Sequence, residues 1–182
     1  MKKQTKAVKS WKELSRHTLL ERYGRGLDKV LFRLPDGRKE SYVVKKEKPT
    51  VAIFAITKDK RVILIEQFRP GPKKVIQELP GGYLDKGETP LKAAKRELYE
   101  ETGHVGVLKP LFHYHDCAYS PRVRHYFIAT KCYRSKTGQR AMRGEERFSR
   151  VVLVPFRPWV KKIYKNPPTD IACVLAGLRM LK

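Results

Sequence analysis

Glu88, Arg96, Glu97, Glu100 and Glu101, set between Gly82 and Gly103, are the residues of this chain whose types and spacing could do chemistry. Glu97 and Glu101 are four apart and Glu100 is three from Glu97, so on a helix the three carboxylates share a face. Like charges at that spacing destabilise an isolated helix by about 0.2–0.5 kcal/mol per pair, so a helix that gathers them needs a compensating cation. Arg96, four before Glu100, neutralises only part of the cluster. A hard divalent ion would supply the rest, and Mg²⁺ suits it better than Zn²⁺ because no thiolate or imidazole cluster accompanies the carboxylates. The plainer alternative is a solvated acidic helix face, which would be the better account of an isolated EExxE-like run. Here the glutamates come with two glycines, a further Glu and an Arg-Glu pair at fixed distances, and that company weighs against it.

The elements that must position these residues are legible around them. Thr89 suits an N-cap, Pro90 the first helical position and Gly103 the C-terminal stop. Between them Leu91, Ala94 and Leu98 recur at helical spacing and should pack inward. Upstream, 50–56 (TVAIFAI) and 61–68 (RVILIEQF) are near-continuous apolar runs, as in strands buried on both faces. A short strand over 75–79 leads into Pro80-Gly81-Gly82, and 29–34 and 41–44 flank the turn signal Pro35-Asp36-Gly37. Downstream, 107–115, 123–132 and 150–155 read as strands and 157–165 as a short helix. A last helix starts at Thr169 as N-cap, with Ile171, Val174, Leu175, Leu178 and Leu181 on one face. Strands covered by two or three helices predict an α/β layered domain.

Length and composition set the bounds. The 182 residues, 41% hydrophobic, suit one domain with a proper core. No apolar run is long enough to span a membrane, and the basic start MKKQTKAVKSWKELS lacks the apolar stretch of a secretory signal. Cys117, Cys132 and Cys173 are odd in number and without metal-ligand spacing, so they read as reduced thiols of a cytoplasmic protein. Lys and Arg total 41 against 18 Asp and Glu, a net charge of +23. Such a field attracts polyanions, nucleic acid among them. The basic residues are scattered, and no interleaved aromatic-basic module is visible, so a solubilising surface is the favoured reading of that charge.

Residues 82–104 fit the pattern G-x5-E-x7-R-E-U-x-E-E-x-G-U, with U a bulky apolar residue, at every specified position but the last, where His104 stands. This stretch resembles the Nudix box. EQFRPG at 66–71 and ELPGGYLDKGE at 78–88, with Trp11-Lys-Glu-Leu-Ser, Pro35-Asp36-Gly37 and Ser120-Pro121, are similar to the ADP-ribose pyrophosphatase branch, which acts on nucleoside diphosphate sugars. The resemblance implies the Nudix fold, an α/β/α sandwich with a mixed central β-sheet and a small N-terminal β extension. Residues 1–13 read as a loose basic tail by composition; the resemblance implies N-terminal strands over 14–47, a candidate dimerisation segment, and a hydrolase domain over 48–182. By position, Glu97, Glu100, Glu101 and the Gly81 carbonyl would be Mg²⁺ ligands, with Mn²⁺ a substitute. Gly82, Glu88 and Arg96 would hold them in place, Arg69 would reach a substrate phosphate, and Trp11 and Tyr23 would stack on a base in a homodimer.

A catalytic base in this branch often sits on a loop before the last strand. Glu145 of Gly144-Glu145-Glu146-Arg147 takes that place, with Glu146 as an accessory ligand and Glu100 as the alternative base. The branch usually has S-P-G followed by a Glu. Here Ser120-Pro121 runs into Arg122-Val123-Arg124-His125, so a shortened loop carries basic residues where an acidic one is expected. The implied reaction is Mg²⁺-dependent hydrolysis of a nucleoside diphosphate sugar, ADP-ribose giving AMP and ribose 5-phosphate. The alternative is an RNA-associated Nudix protein, either a pyrophosphohydrolase of RNA 5′ ends or a binder without catalysis.

Overall fold

The computed structural model describes residues 7–136 and 147–181. They divide into two compact units, one within Met1–Lys48 and His115–Arg122, the other within Pro49–Tyr114 and Val123–Lys182.

The first unit is a three-stranded antiparallel sheet in the order β1 (Lys12–Arg22), β2 (Arg25–Arg33), β3 (Lys39–Glu47). The Pro35-Asp36-Gly37 turn joins β2 to β3 as the sequence predicts, with the Gly37 N–H donating to Leu34 O. β1 is a strand that no residue pattern announces, and it starts at Lys12, inside the stretch that composition marks as tail. Its side chains are nearly all exposed and show no alternation, so it carries no burial signal. Pairing with β2 holds it, and so do Arg16 and Thr18, which both donate to the buried carboxylate of Asp28 at 2.9 Å. Trp11, Phe32 and Tyr42 pack ring on ring across this sheet, with centroids 5.4–6.1 Å apart.

The second unit is a mixed sheet between helices. Its path is β6 (Lys74–Glu78), β5 (Arg61–Arg69), β4 (Thr50–Thr57), β8 (Val123–Arg134) and β7 (His104–His115), with β9 (Arg150–Pro155) also paired to β5. β4 and β8 run parallel, while β5 is antiparallel to β4, β6 and β9. Every residue of β4 is buried, as its unbroken apolar run requires. On one face of the sheet Phe54, Ile56, Leu64, Tyr126 and Ile128 pack with α3 (Ile171–Met180) and with Phe156 and Trp159 of α2 (Phe156–Lys162). On the other, Val51, Ile53, Ile63 and Phe127 pack against Ala93, Ala94 and Leu98 of α1 (Pro90–Thr102). The result is an α/β/α sandwich.

Three local expectations change. Leu91 is 40% exposed, and the inward stripe of α1 is Ala93, Ala94, Leu98 and Thr102, because the short alanines let the helix lie close on β4. α2 ends at Lys162 rather than Lys165. The N-cap of α3 is Asp170, without a side-chain cap bond; Thr169, the expected cap, instead donates to Glu78 and Asp170.

Candidate active site

Two segments build the site. β4 and β5 pair only at Ala55–Ile63 and Ile56–Val62 and then part. Residues 80–84 lie along β4 in the fork: Ile53 N–H donates to Pro80 O and Val51 N–H to Gly82 O, both at 2.9 Å. Since neighbouring peptide groups of an extended chain alternate in direction, Gly81 turns its N–H and carbonyl the other way. Its N–H meets Glu101 Oε2 at 2.8 Å. The approach is tight, for a Cβ on Gly81 would press on Val51 O and lie 3.0 Å from Ala52 Cα. A Cβ on Gly82 would lie 2.6 Å from Glu97 Cδ. Packing against the β4 backbone therefore requires glycine at 81, whereas at 82 glycine leaves room for the Glu97 carboxylate.

The second segment is α1. Thr89 caps its start by accepting from Lys92 N–H at 3.4 Å, Pro90 opens it, and Gly103, at φ 69°, closes it by donating to Tyr99 O at 2.8 Å. One guanidinium ties helix and loop together. Arg96 takes Glu88 with two parallel bonds, Nε to Oε1 at 3.0 Å and Nη2 to Oε2 at 2.9 Å, and Nη2 also reaches Tyr83 O at 3.0 Å. Its Nη1 donates to Glu97 Oε1 at 2.8 Å and Glu100 Oε2 at 3.3 Å. The bonds donated by Arg96 hold the Glu88 carboxyl below its ordinary range, and the same bonds chiefly raise the arginine further, so both stay charged. A planar fork with five donors can do this; an ammonium cannot.

Among the described residues no three Asp, Glu, His or Cys side chains converge as a closed metal cage. The geometry explains why: Glu97 and Glu100 turn to Arg96, and Glu101 turns to the Gly81 N–H. The donor set still fits a hard divalent cation. Three carboxylates stand at one end of α1, the Gly81 carbonyl shares the side of its N–H, and every donor is oxygen. Glu97 and Glu100 are largely shielded, with side chains 12% and 24% exposed.

The other sequence-derived residues fall into three places. Arg69, at the end of β5, donates from Nε to Glu78 Oε2 at 2.6 Å, and Gln67 joins the same oxygen at 2.7 Å. Glu78, which opens the ELPGG run, thereby becomes the partner of a candidate site residue, and nothing in the strand pattern of the sequence points to it. Trp11 and Tyr23 lie in the first unit, Trp11 in its aromatic cluster and Tyr23 at the β1–β2 turn, 83% exposed beneath the Arg22 guanidinium. Glu145 and Glu146 lie outside the described residues.

The basic loop also acquires a role. Arg122 pairs with Asp116 and, at 3.2 Å, with Glu47, while Ser120 donates to Glu47 and Lys45 N–H to Tyr119 O. The loop is fastened to β3 by arginine where an acidic residue was expected. Arg124, in the second unit, pairs with buried Asp170 at 2.6 Å.

A glycine-edged loop clamped through Arg96 to an acidic helix, on a mixed sheet between helices, defines a Nudix domain. The NUDIX domain family profile matches residues 46–166, and the chain belongs to that family. Its relatives include an ADP-ribose pyrophosphatase of Bacillus subtilis, 35% identical over 98 residues, which are 53% of either chain. A methanol dehydrogenase activator of Bacillus methanolicus is 41% identical over 71 residues, 39% of this chain and 38% of that one. The chain thus spans about half the length of these curated relatives, or less. A solved structure described as an ADP compounds hydrolase superposes with a TM-score of 0.79 over 97% of both chains at 19% identity, a likeness of fold.

Proposed function

We propose that this protein hydrolyses the phosphoanhydride bond of a nucleoside diphosphate sugar, with ADP-ribose the leading substrate and AMP and ribose 5-phosphate the products. The observation that carries the reading is the Arg96 clamp, which joins Glu88, the Tyr83 carbonyl, Glu97 and Glu100 while Glu101 takes the Gly81 N–H. A binding module has no need to gather and orient so many carboxylates. The similarity to an ADP-ribose pyrophosphatase supports the substrate class.

Glu97, Glu100, Glu101 and the Gly81 carbonyl would hold Mg²⁺, or Mn²⁺ in its place. When bound, the ion supplies positive charge to the diphosphate and lowers the pKa of a water molecule. Glu145 takes the proton of the attacking water, an oxygen–phosphorus bond forms, and the bridging P–O bond breaks with its electrons passing to the leaving phosphate. Glu146 is the accessory ligand, and Glu100 stands in as base if Glu145 does not serve. Arg69 donates to a substrate phosphate, and the bond from its Nε to Glu78 sets the plane of its guanidinium.

A substrate panel assayed for released phosphomonoester tests the reading: ADP-ribose and related ADP-sugars should turn over with Mg²⁺, and failure of the whole panel would refute it. The net charge of +23 favours one second reading, action on or binding to RNA. RNA affinity that falls steeply with salt, together with an inert panel, would select it.

A further inference from the structure

The second unit contains a cavity of about 780 Å³ that none of the site residues above lines. Its walls come from the end of β4 (Thr57), the β4–β5 turn (Lys58, Asp59), Arg61, the end of α1 (Thr102), the start of β7 (His104), the end of β8 (Tyr133, Arg134) and the start of β9. Gly81, by contrast, packs on Val51 and Ala52 at the start of β4. Ala52 and Thr57 are five strand steps apart, on the order of 16 Å along β4, so the two places adjoin opposite ends of that strand.

Polar groups at the base of the cavity are built in. Thr57, Thr102 and His104 are buried, at 7%, 3% and 7% exposure. The His104 Nδ1 lies 2.8 Å from Thr102 O, which assigns the ring proton to Nδ1 and leaves Nε2 as an acceptor in the neutral ring. Burial, and then the charges of Arg134 and Arg61, hold the imidazole below its ordinary range, so a positive field reaches it. This residue is also where the chain departs from the box pattern.

The walls are cationic. Of the four basic side chains, Arg61 pairs with Asp59 at 2.7 Å and Arg150 with Glu66 at 2.5 Å. Lys58 lies over the exposed ring of Tyr133, 5.4 Å from its centroid. Among the described residues, no carboxylate pairs with Lys58 or Arg134. Lys58 over an aromatic ring and Arg134 in the same lining, with no carboxylate partner among the described residues, accompany buried polar groups in a volume typical of ligand pockets; the component lacking is an anion.

We infer that this cavity is a second binding site, for a small phosphate-bearing molecule, with Lys58 and Arg134 donating to the phosphate and Tyr133 flanking the remainder. Thr102 of its wall follows directly on Glu101, so occupancy adjoins the end of α1 that carries the carboxylates.

Calorimetric titration of the full chain with inorganic pyrophosphate in EDTA tests it. The expected result is one saturable site per chain, weakened about tenfold or more in a Lys58→Gln, Arg134→Gln double variant that loses two charge-assisted bonds. A Lys12→Gln, Lys39→Gln variant, with the same loss of charge elsewhere, should bind as the parent does. So should Arg69→Gln, altered at the site proposed for hydrolysis. Absence of a saturable site, equal weakening by both double variants, or loss of binding in Arg69→Gln would each overturn the inference. Failure of the substrate panel leaves it untouched.

Discussion

Gly82 and the Glu97 carboxylate are in such close contact that a single methyl group on the glycine would stand 2.6 Å from Glu97 Cδ. The loop glycine is the floor on which the first carboxylate of the α1 face rests. Gly81, one residue earlier, has backbone of β4 as its neighbour instead.

The two glycines should therefore fail differently. Gly82→Ala pushes on the end of a flexible side chain, so its stability should fall little while turnover falls steeply. Gly81→Ala pushes on Val51 O and Ala52 Cα, which cannot yield without moving β4, and the melting temperature should drop clearly. Thermal melts beside phosphomonoester release would check this; equal stability losses with turnover intact in Gly82→Ala would contradict it.

Arg96→Lys keeps the charge and loses the fork. The parallel bonds to Glu88 and the reach to Tyr83 O cannot both survive. We expect a stability loss of about 1–3 kcal/mol, the cost of leaving part-buried charged partners incompletely bonded. Turnover should fall as well, because Glu97 and Glu100 lose their common donor. Urea denaturation and steady-state kinetics on the same preparation measure the two effects.

The helix was the most legible part of this molecule. Thr89, Pro90 and Gly103 mark its ends by residue type alone, and the structure ends it where they do. The buried run of β4 is equally plain, since an unbroken apolar octet has few other uses. β1 was obscure because pairing, with no burial of its own side chains, makes it a strand. The Arg69–Glu78 bond was obscure for a different reason: it joins two strands whose register no local pattern reveals. Arg122 stands where an acidic residue is expected, and its partner Glu47 lies 75 residues away in sequence, beyond the reach of any local pattern.

His125 and His113 face each other on neighbouring strands with ring centroids 5.4 Å apart. Burial first, and His113 second, hold His125 below its ordinary value of 6.5. The unfolded chain therefore takes up the proton more readily, and stability should decline as pH falls below 6.5 toward the folded value. Replacing His125 with Asn should flatten that acid limb in melts across about pH 5–8. An unchanged slope would show that other groups set it.

Glu145→Gln and Glu146→Gln should be unequal. Loss of the base should lower kcat by roughly 10²–10⁴-fold, while loss of the accessory ligand should mainly shift the Mg²⁺ dependence. Full kcat in both variants would move the proton to Glu100 or to solvent.

The most direct test is phosphorus NMR of ADP-ribose incubated with Mg²⁺ and either the parent protein or Glu101→Gln. In that variant the side-chain oxygen can still accept from the Gly81 N–H, so the fold should hold while a ligand charge is lost. AMP and ribose 5-phosphate are expected from the parent, and turnover lower by orders of magnitude from a variant that melts as the parent does. Parental turnover by Glu101→Gln at saturating Mg²⁺, or no turnover by the folded parent, would contradict this.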